Sequence, residues 1–251
     1  VINRFSKTRL KFLYSEPSVL GILCGLLVII LLYYVFDNKK NYMLSKEIII
    51  LAVIILLTFS MSGIVYTAVG ILVLFLFQVF KNKECIPRRM LMYFLFGICL
   101  LIIILSTNNP ISNRFFSMFL GMDGSYNFRW SAAVNVFRKT MEITDYWGMG
   151  LGNMNTPSGL SFLLSIGIDY KFANSFLYFF TENGMLGIIY TIYLFLICIY
   201  NCIKSSKNIR PLKVGVLAFA FVSQIAGGYY TDPILWIVYG IVCSNEKTVI
   251  N

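Results

Sequence analysis

Apolar runs separated by short polar segments extend along most of the chain. A helix needs about 20 apolar residues to cross the ~30 Å hydrocarbon core of a membrane, and fewer where it is short or partly re-entrant. A tight hairpin is predicted where Ser60, Ser62 and Gly63 interrupt a long apolar run. The predicted spans are residues 18–36, 48–60, 63–80, 90–105, 182–202, 212–226 and 234–243. The pattern therefore predicts an all-α fold, a polytopic integral membrane helix bundle that forms a single domain over residues 1–251.

The basic residues indicate how this bundle is oriented. Short loops rich in Lys and Arg stay on the cytoplasmic side of a membrane. Such residues are concentrated in segments 37–47, 81–90 and 203–213, which fall on one side if the hairpin is a turn. We therefore expect a multi-pass protein of the cytoplasmic (inner) membrane whose active side, with the long loop 106–180 and the turn "GGYYTDP", is extracytoplasmic.

The outer loop is longer than a connection requires, and long structured loops are often functional. Within "FRWSAAVNVFRKTMEI", a single helical face carries Arg129, Trp130, Val134, Phe137 and Met141. This spacing predicts an amphipathic helix lying along the membrane surface. The following "GMGLGN" lacks the strand and the acidic residue of a nucleotide-binding fingerprint. We expect it to be a turn that lets the backbone approach a ligand or the bilayer surface.

Composition limits the chemistry that the chain can perform. The sequence is 58% hydrophobic and 13% charged, has a formal net charge of +10 and contains no histidine. The commonest general base and the commonest transition-metal ligand are therefore missing. The cysteines show no metal-ligand spacing, and we predict neither a metal nor a cofactor. The basic loops account for much of the positive charge, which gives no reason to expect nucleic acid as a partner.

Several cations lie in segments predicted to be extracytoplasmic, where the orientation rule does not place them. The N-terminal group is Arg4, Lys7, Arg9 and Lys11. One interpretation is an interfacial stretch attracted to anionic membrane lipids. The other is a site for a lipid-linked anion such as a diphosphate, because guanidinium groups bind phosphate oxygens in two-point contacts.

Several short motifs, in this order, resemble the O-antigen polymerase and ligase family. They are "YSEPSVLG" at Glu16, "LLTFSMSG" at the hairpin, "FRWSAAVNVF", "WGMGLGN", and "NSFL" followed by "ENGMLG". The resemblance covers about residues 10–230. Members are Wzy-type membrane enzymes with more spans than are predicted here, so the resemblance also implies that N-terminal spans are missing from this sequence.

The resemblance implies an enzyme that polymerises undecaprenyl-diphosphate-linked oligosaccharide repeat units into O-antigen, capsule or exopolysaccharide. The ligase of the same family, which transfers the finished glycan to lipid A core or protein, is an alternative. A flippase or transporter without covalent chemistry is another, but the sequence shows neither the internal repeats nor the charges within spans typical of transporters. The partners implied are the lipid-linked glycans, membrane lipids, a flippase and a chain-length regulator.

Arginines are the first candidates for the site, because a cation placed where the departing diphosphate gains charge stabilises the transition state. Arg129 matches the family motif and is predicted to be catalytic, although an arginine that snorkels to the headgroups would have the same pattern. Arg114 and Arg138 are predicted to bind substrate, as is Arg9 under its diphosphate interpretation.

A general base, if the reaction needs one, would have to be a carboxylate. We predict Glu182 as a catalytic residue, with stabilisation of a helix N-terminus as the alternative. Glu16 is predicted to bind substrate. Asn174 is predicted either to cap a helix or to hydrogen-bond a sugar. Two positions depart from the family pattern, since Met61 replaces a common Arg and Ala173 replaces a common His.

Overall fold

A computed structural model of the chain describes residues 17–37, 42–58, 60–81, isolated positions between 92 and 107, and residues 110–120, 129–165, 167, 174–227 and 230–244. These residues form helices and turns without a strand, which confirms the all-α helix bundle. The helices are α1 (Pro17–Asp37), α2 (Tyr42–Leu57), α3 (Met61–Lys81), α4 (Pro110–Phe119), α5 (Ser131–Ile143), a 3-10 turn (Asn153–Asn155), α6 (Pro157–Ser165), α7 (Ser175–Lys204), α8 (Arg210–Ala226) and α9 (Pro233–Cys243).

Three of these helices are long and apolar enough to cross a membrane, namely α1, α3 and α7. The helix α9 is also apolar but has only 11 residues. The predicted span 90–105 lies almost entirely outside the described residues. The length and apolar character of α1, α3 and α7 agree with a membrane protein.

The centre of the bundle is formed by α1, α3 and α8, which pack against one another. Small residues let α1 and α3 approach closely, as is common between membrane helices. A Cβ atom added to Gly25 would overlap the hydroxyl of Thr67, and one added to Gly63 would lie 2.9 Å from the backbone of Gly21. The sequence "GILCG" therefore forms a contact surface between helices that the sequence analysis did not identify.

The chain turns between Leu57, the last residue of α2, and Met61, the first residue of α3, which is where a hairpin is predicted. The Ser60 hydroxyl precedes α3, accepts a hydrogen bond from Gly63 N (3.3 Å) and lies 2.9 Å from the hydroxyl of Ser62. The side chain of Met61, the residue that departs from the resembled motif, is buried. The turn is thus held by serine hydroxyls that satisfy the first N–H groups of α3.

The helices begin and end at two opposite ends of the bundle. At one end, Lys213 Nζ donates to the carbonyl of Ser244 (2.8 Å), and Arg210 Nη2 donates to the carbonyls of Ile203 (2.7 Å) and Ser205 (2.9 Å). The two basic residues satisfy carbonyls at the C-terminal ends of α7 and α9. The opposite end, called the outer end below, contains the first residues of α1, α3 and α9 and the last residues of α2 and α8.

The helix α7 is not straight, because Gly184 has φ 57° and ψ −143°. The rings of Phe176 and Phe195 lie 5.8 Å apart, whereas 19 residues of a continuous helix would separate them by about 28 Å. The rings of Phe179 and Tyr190 are also close, at 6.0 Å. The first arm (residues 175–183) therefore folds back along the second arm (residues 185–204).

This geometry places most of the predicted span 182–202 in the second arm. The helix begins at Ser175, and Glu182 lies near the end of the first arm rather than at the first turn of a helix. The second arm alone, at about 30 Å, is long enough to cross the hydrocarbon core.

The predicted amphipathic helix is present as α5, but its face was predicted only in part. Ala133, Val136 and Met141 are buried, whereas Trp130 and Val134 are exposed. A small second core surrounds Met154 and joins α5, α6 and the first arm of α7. The helix is therefore packed against other segments of the protein through a face that the sequence spacing did not select.

Candidate functional site

Arg129 lies just before α5, and its side chain is half-buried. A Cβ atom added to Gly227 would lie 3.3 Å from Arg129 Nη1 and 3.3 Å from the hydroxyl of Tyr66. The guanidinium and the phenol thus meet over the backbone at the end of α8. Within the described part of the chain, no carboxylate forms an ion pair with Arg129.

Asn174 connects Arg129 to the bundle. Its Oδ1 accepts from Leu177 N (3.1 Å), which confirms the predicted N-cap of α7. Its Nδ2 donates to the carbonyl of Arg129 (3.3 Å) and to that of Ile225 (2.7 Å). The side chain is only 1% exposed. The residue therefore fixes the backbone of Arg129 against α8, and contact with a sugar stays a prediction.

These residues lie where the end of α8, the start of α7 and the start of α9 meet beside α3. Tyr66 is one and a half turns into α3, about 8 Å from its first residue, and its hydroxyl approaches Gly227 at the end of α8. Asn174, just before α7, donates to the carbonyl of Ile225 in the last turn of α8. The space between these helix ends, lined in part by Gly227 and Asp232, is called the crevice below.

Irregular backbone lines this crevice, at Asn174, Gly227 and Asp232. In a membrane, such backbone is tolerated only where it is buried in protein or lines a water-filled cavity. The crevice is therefore suited to polar groups.

A small pocket of about 20 Å³ opens from the crevice between α1, α8, α9 and the start of α7. Its apolar lining includes Ile22, Phe219 and Leu235, and its polar lining is Ser175, Ser223, Gln224 and Asp232, with Gly227 as one wall. Ser223 donates to a backbone carbonyl, and Gln224 donates to the Tyr239 hydroxyl (2.7 Å). The pocket has room for about one water-sized group.

Glu182 is fully buried, at 0% exposure. Its Oε1 accepts from Met154 N (3.2 Å), and its Oε2 accepts from the hydroxyl of Tyr230 (2.9 Å). Burial and the nearby carboxylate raise the pKa of Tyr230 to about 12, so the phenol stays a neutral donor. The carboxylate thus holds the outer segments to the first arm of α7, and its predicted catalytic role stays untested.

The glycine-rich turn is placed against the break in α7. Met149 N donates to Thr181 O (3.0 Å), Gly150 N donates to Glu182 O (2.7 Å), and Met185 N donates to Tyr146 O (2.9 Å). The break leaves these helix groups without intrahelical partners, and the turn supplies them. The backbone of the turn therefore does approach another group closely, as predicted, but that group is the backbone of α7.

A family model described as WcaD colanic acid polymerase matches residues 2–244. The chain belongs to this polymerase family. No curated protein and no solved structure matches it. This membership confirms the predicted relation to Wzy-type polymerases. It shows a membrane enzyme that joins repeat units into a polysaccharide. It also implies that the substrates are lipid-linked glycans.

The other predicted site residues of this polymerase are exposed or lie outside the described part of the structure. Arg138 lies on the exposed face of α5 and pairs with Glu142 (2.9 Å), with side-chain exposures of 78% and 58%. Arg114 belongs to α4, and its side chain lies outside the described part. Arg9 and Glu16, like Ala173, also lie outside the described residues. Only Arg129 and Asn174 are brought together by the described fold.

Tyr66 and Asp232 are two of the polar residues at the crevice that the sequence analysis did not identify. Tyr66 gives no local signal, because a tyrosine in an apolar helix usually packs in the core. Asp232 does give one, since an Asp followed by Pro marks the start of a helix. Its position beside the pocket, however, depends on contacts among four helices.

Proposed function

We propose that this protein polymerises undecaprenyl-diphosphate-linked oligosaccharide repeat units into O-antigen, capsule or exopolysaccharide at the outer face of the cytoplasmic membrane. The observation that carries the proposal is Arg129, a half-buried guanidinium with no carboxylate partner among the described residues, beside a phenol in a crevice of a membrane bundle. Membership of a polymerase family supports the reaction type.

The reaction forms a glycosidic bond while a diphosphate departs. Negative charge increases on the diphosphate oxygens as the bond from the sugar breaks, and a guanidinium fork can contact two of these oxygens. A preorganised cation that acts mainly on this developing charge can lower the barrier by about 3–4 kcal/mol. In this proposal, Arg129 and the hydroxyl of Tyr66 bind the diphosphate, and the lipid chain lies against the apolar outer surface of the bundle.

The orientation follows from the basic end of the bundle. Lys204, Lys207, Arg210 and Lys213 belong to the end opposite the crevice. By the positive-inside rule this end is cytoplasmic, which gives the crevice an extracytoplasmic opening. A flippase that delivers the lipid-linked unit and a regulator of chain length are the proposed partners.

The test is complementation of a polymerase-deficient host that accumulates its own lipid-linked repeat units, with the products separated as a ladder on a gel. We expect Arg129→Ala to lower the rate of ladder formation about 100-fold or more. Arg129→Lys should recover only part of it, because lysine keeps the charge but loses the fork.

Arg138→Ala is the matched comparison, since Arg138 is an exposed arginine on the same segment whose ion pair contributes little to stability, and it also tests the predicted contact of Arg138 with substrate. Wild-type activity of Arg129→Ala would refute the role of Arg129. A single transferred glycan without a ladder would identify the ligase reaction instead.

A further inference from the structure

The proposed reaction releases a proton from the attacking hydroxyl, and a positioned base accelerates such a step by about 10²–10⁴. The chain contains no histidine to accept it. The carboxylate predicted from the sequence, Glu182, is fully buried and has both oxygens hydrogen-bonded within the protein. Another acceptor is therefore needed.

Asp232 has the geometry of an acceptor. It is half-buried, and its Oδ1 caps α9 by accepting from Ile234 N (3.0 Å). Its Oδ2 has no hydrogen-bond donor among the described residues. The cap fixes the orientation of the carboxylate while it leaves the second oxygen free for a ligand.

The pocket beside Asp232 shows an unpaired polar group of its own. The hydroxyl of Ser175 lines the pocket, is 1% exposed and has no hydrogen-bond partner in the described part of the chain. A buried hydroxyl without a partner is rare, because its lost hydration is not replaced by a hydrogen bond within the protein. This hydroxyl is therefore suited to bind an oxygen that is not part of the protein.

The size and position of the pocket identify the class of group that it takes. About 20 Å³ accommodates one hydroxyl oxygen but not a sugar ring. Gly227 forms one wall, and the guanidinium of Arg129 lies against the same residue. A hydroxyl in the pocket would thus be next to the group proposed to bind the departing diphosphate.

We propose that Asp232 is the general base of the reaction and that Ser175 orients the acceptor sugar hydroxyl. This inference rests on the proposed function. The hydroxyl oxygen attacks the anomeric carbon of the donor sugar, and the bond from that carbon to the diphosphate oxygen breaks. The bonding electron pair leaves with the lipid diphosphate at Arg129. The hydroxyl proton passes to Asp232 Oδ2 and then to water.

Asp232→Asn separates the proposed chemistry from the structural role. Asparagine caps helices as well as aspartate does, but its carboxamide cannot accept the proton. We expect purified Asp232→Asn to unfold at the wild-type temperature and to extend the host's lipid-linked repeat unit about 10²–10³-fold more slowly. Asp232→Ala loses the cap as well, so it should be less stable, and added formate should restore part of its activity by supplying a carboxylate.

Ser175→Ala provides an independent readout. Its hydroxyl has no partner among the described residues, so a structural role predicts no loss of stability or activity. We expect an increase of about 5–10-fold in the KM for the acceptor glycan, as for one lost hydrogen bond. The matched comparison is Ser223→Ala, which removes a hydroxyl already bonded to Ala220 O and should raise KM less.

The outcomes separate the two proposals. A wild-type protein that forms no product would refute the proposed function, and the role of Asp232 with it. A working wild type with an equally fast Asp232→Asn would refute the assignment of Asp232 alone. Equal loss of stability in Asp232→Asn and Asp232→Ala, without rescue by formate, would also overturn it, because the residue would then be structural.

Discussion

The most direct test of the fold compares Gly148→Ala with Gly152→Ala. Both glycines belong to the turn at the break of α7, and both have a left-handed backbone, with φ of 79° and 78°. An alanine at either position costs about 1–2 kcal/mol for this conformation. The two positions differ in their surroundings, and the comparison therefore isolates the contact between the turn and the break.

A Cβ atom at Gly148 would lie 2.5 Å from Gly184 N and 2.6 Å from Glu182 O, whereas one at Gly152 would have no neighbour within 4 Å. The close atoms are backbone, and they cannot move aside as a flexible side chain could. The turn in Gly148→Ala must therefore lift away and lose the three backbone hydrogen bonds that hold it to α7. At about 1 kcal/mol each, these bonds add about 3 kcal/mol to the conformational cost.

Hydrogen exchange measures this difference locally. Opening that is easier by 3 kcal/mol accelerates exchange about 100-fold, and we expect this acceleration for the amides of Met149, Gly150 and Met185 in Gly148→Ala. In Gly152→Ala, the same amides should retain most of their protection. Peptides that cover the turn and the break, compared by mass spectrometry in detergent micelles, provide the assay. Equal acceleration in both variants would show that the turn is not held by these bonds.

Two further substitutions test other parts of the described structure. Tyr230→Phe removes one of the two donors that the described residues supply to the buried Glu182 carboxylate, and it should lower the free energy of unfolding by about 1.5–3 kcal/mol, as measured by denaturation in detergent. The control Tyr193→Phe, at an exposed tyrosine, should change this free energy little. Equal effects would exclude the bond between Tyr230 and Glu182 as a stabilising contact. Gly25→Ala places a methyl group on the hydroxyl of Thr67 in α3 and should lower the free energy of unfolding by about 1–3 kcal/mol. In the control Gly240→Ala the methyl group enters open space, so this free energy should stay the same or rise. An unchanged free energy of unfolding in Gly25→Ala would contradict the close packing of α1 and α3.

The sequence predicts those features of the fold that depend on local pattern. Apolar runs of sufficient length identify α1 and α3, and serine and glycine in one of these runs identify the hairpin that joins α2 to α3. Asn174 was correctly considered as a cap because asparagine satisfies the first N–H groups of a helix in almost any context.

The features that the sequence does not predict depend on tertiary contacts. Gly184 is one glycine among several in apolar runs, and glycine is common within membrane helices; nothing local distinguishes the one that reverses the chain. The buried face of α5 is selected by its contact with α7 rather than by the spacing of its large residues. The pocket beside Asp232 likewise exists only where four helices meet.

The surroundings of Arg129 explain how one site serves a substrate that is both lipid and anion. A polyprenyl chain is stable in hydrocarbon, whereas its diphosphate and sugars require water or charged partners. The Arg129 guanidinium lies against Gly227, at the end of the apolar helix α8, next to the polar and irregular backbone at Asn174 and Asp232. The proposed diphosphate is then bound at this boundary while its lipid chain lies against the apolar helices. Because Arg129 is half-buried rather than fully exposed, the high dielectric constant of bulk water weakens its interaction with the developing charge less than it would at an exposed position.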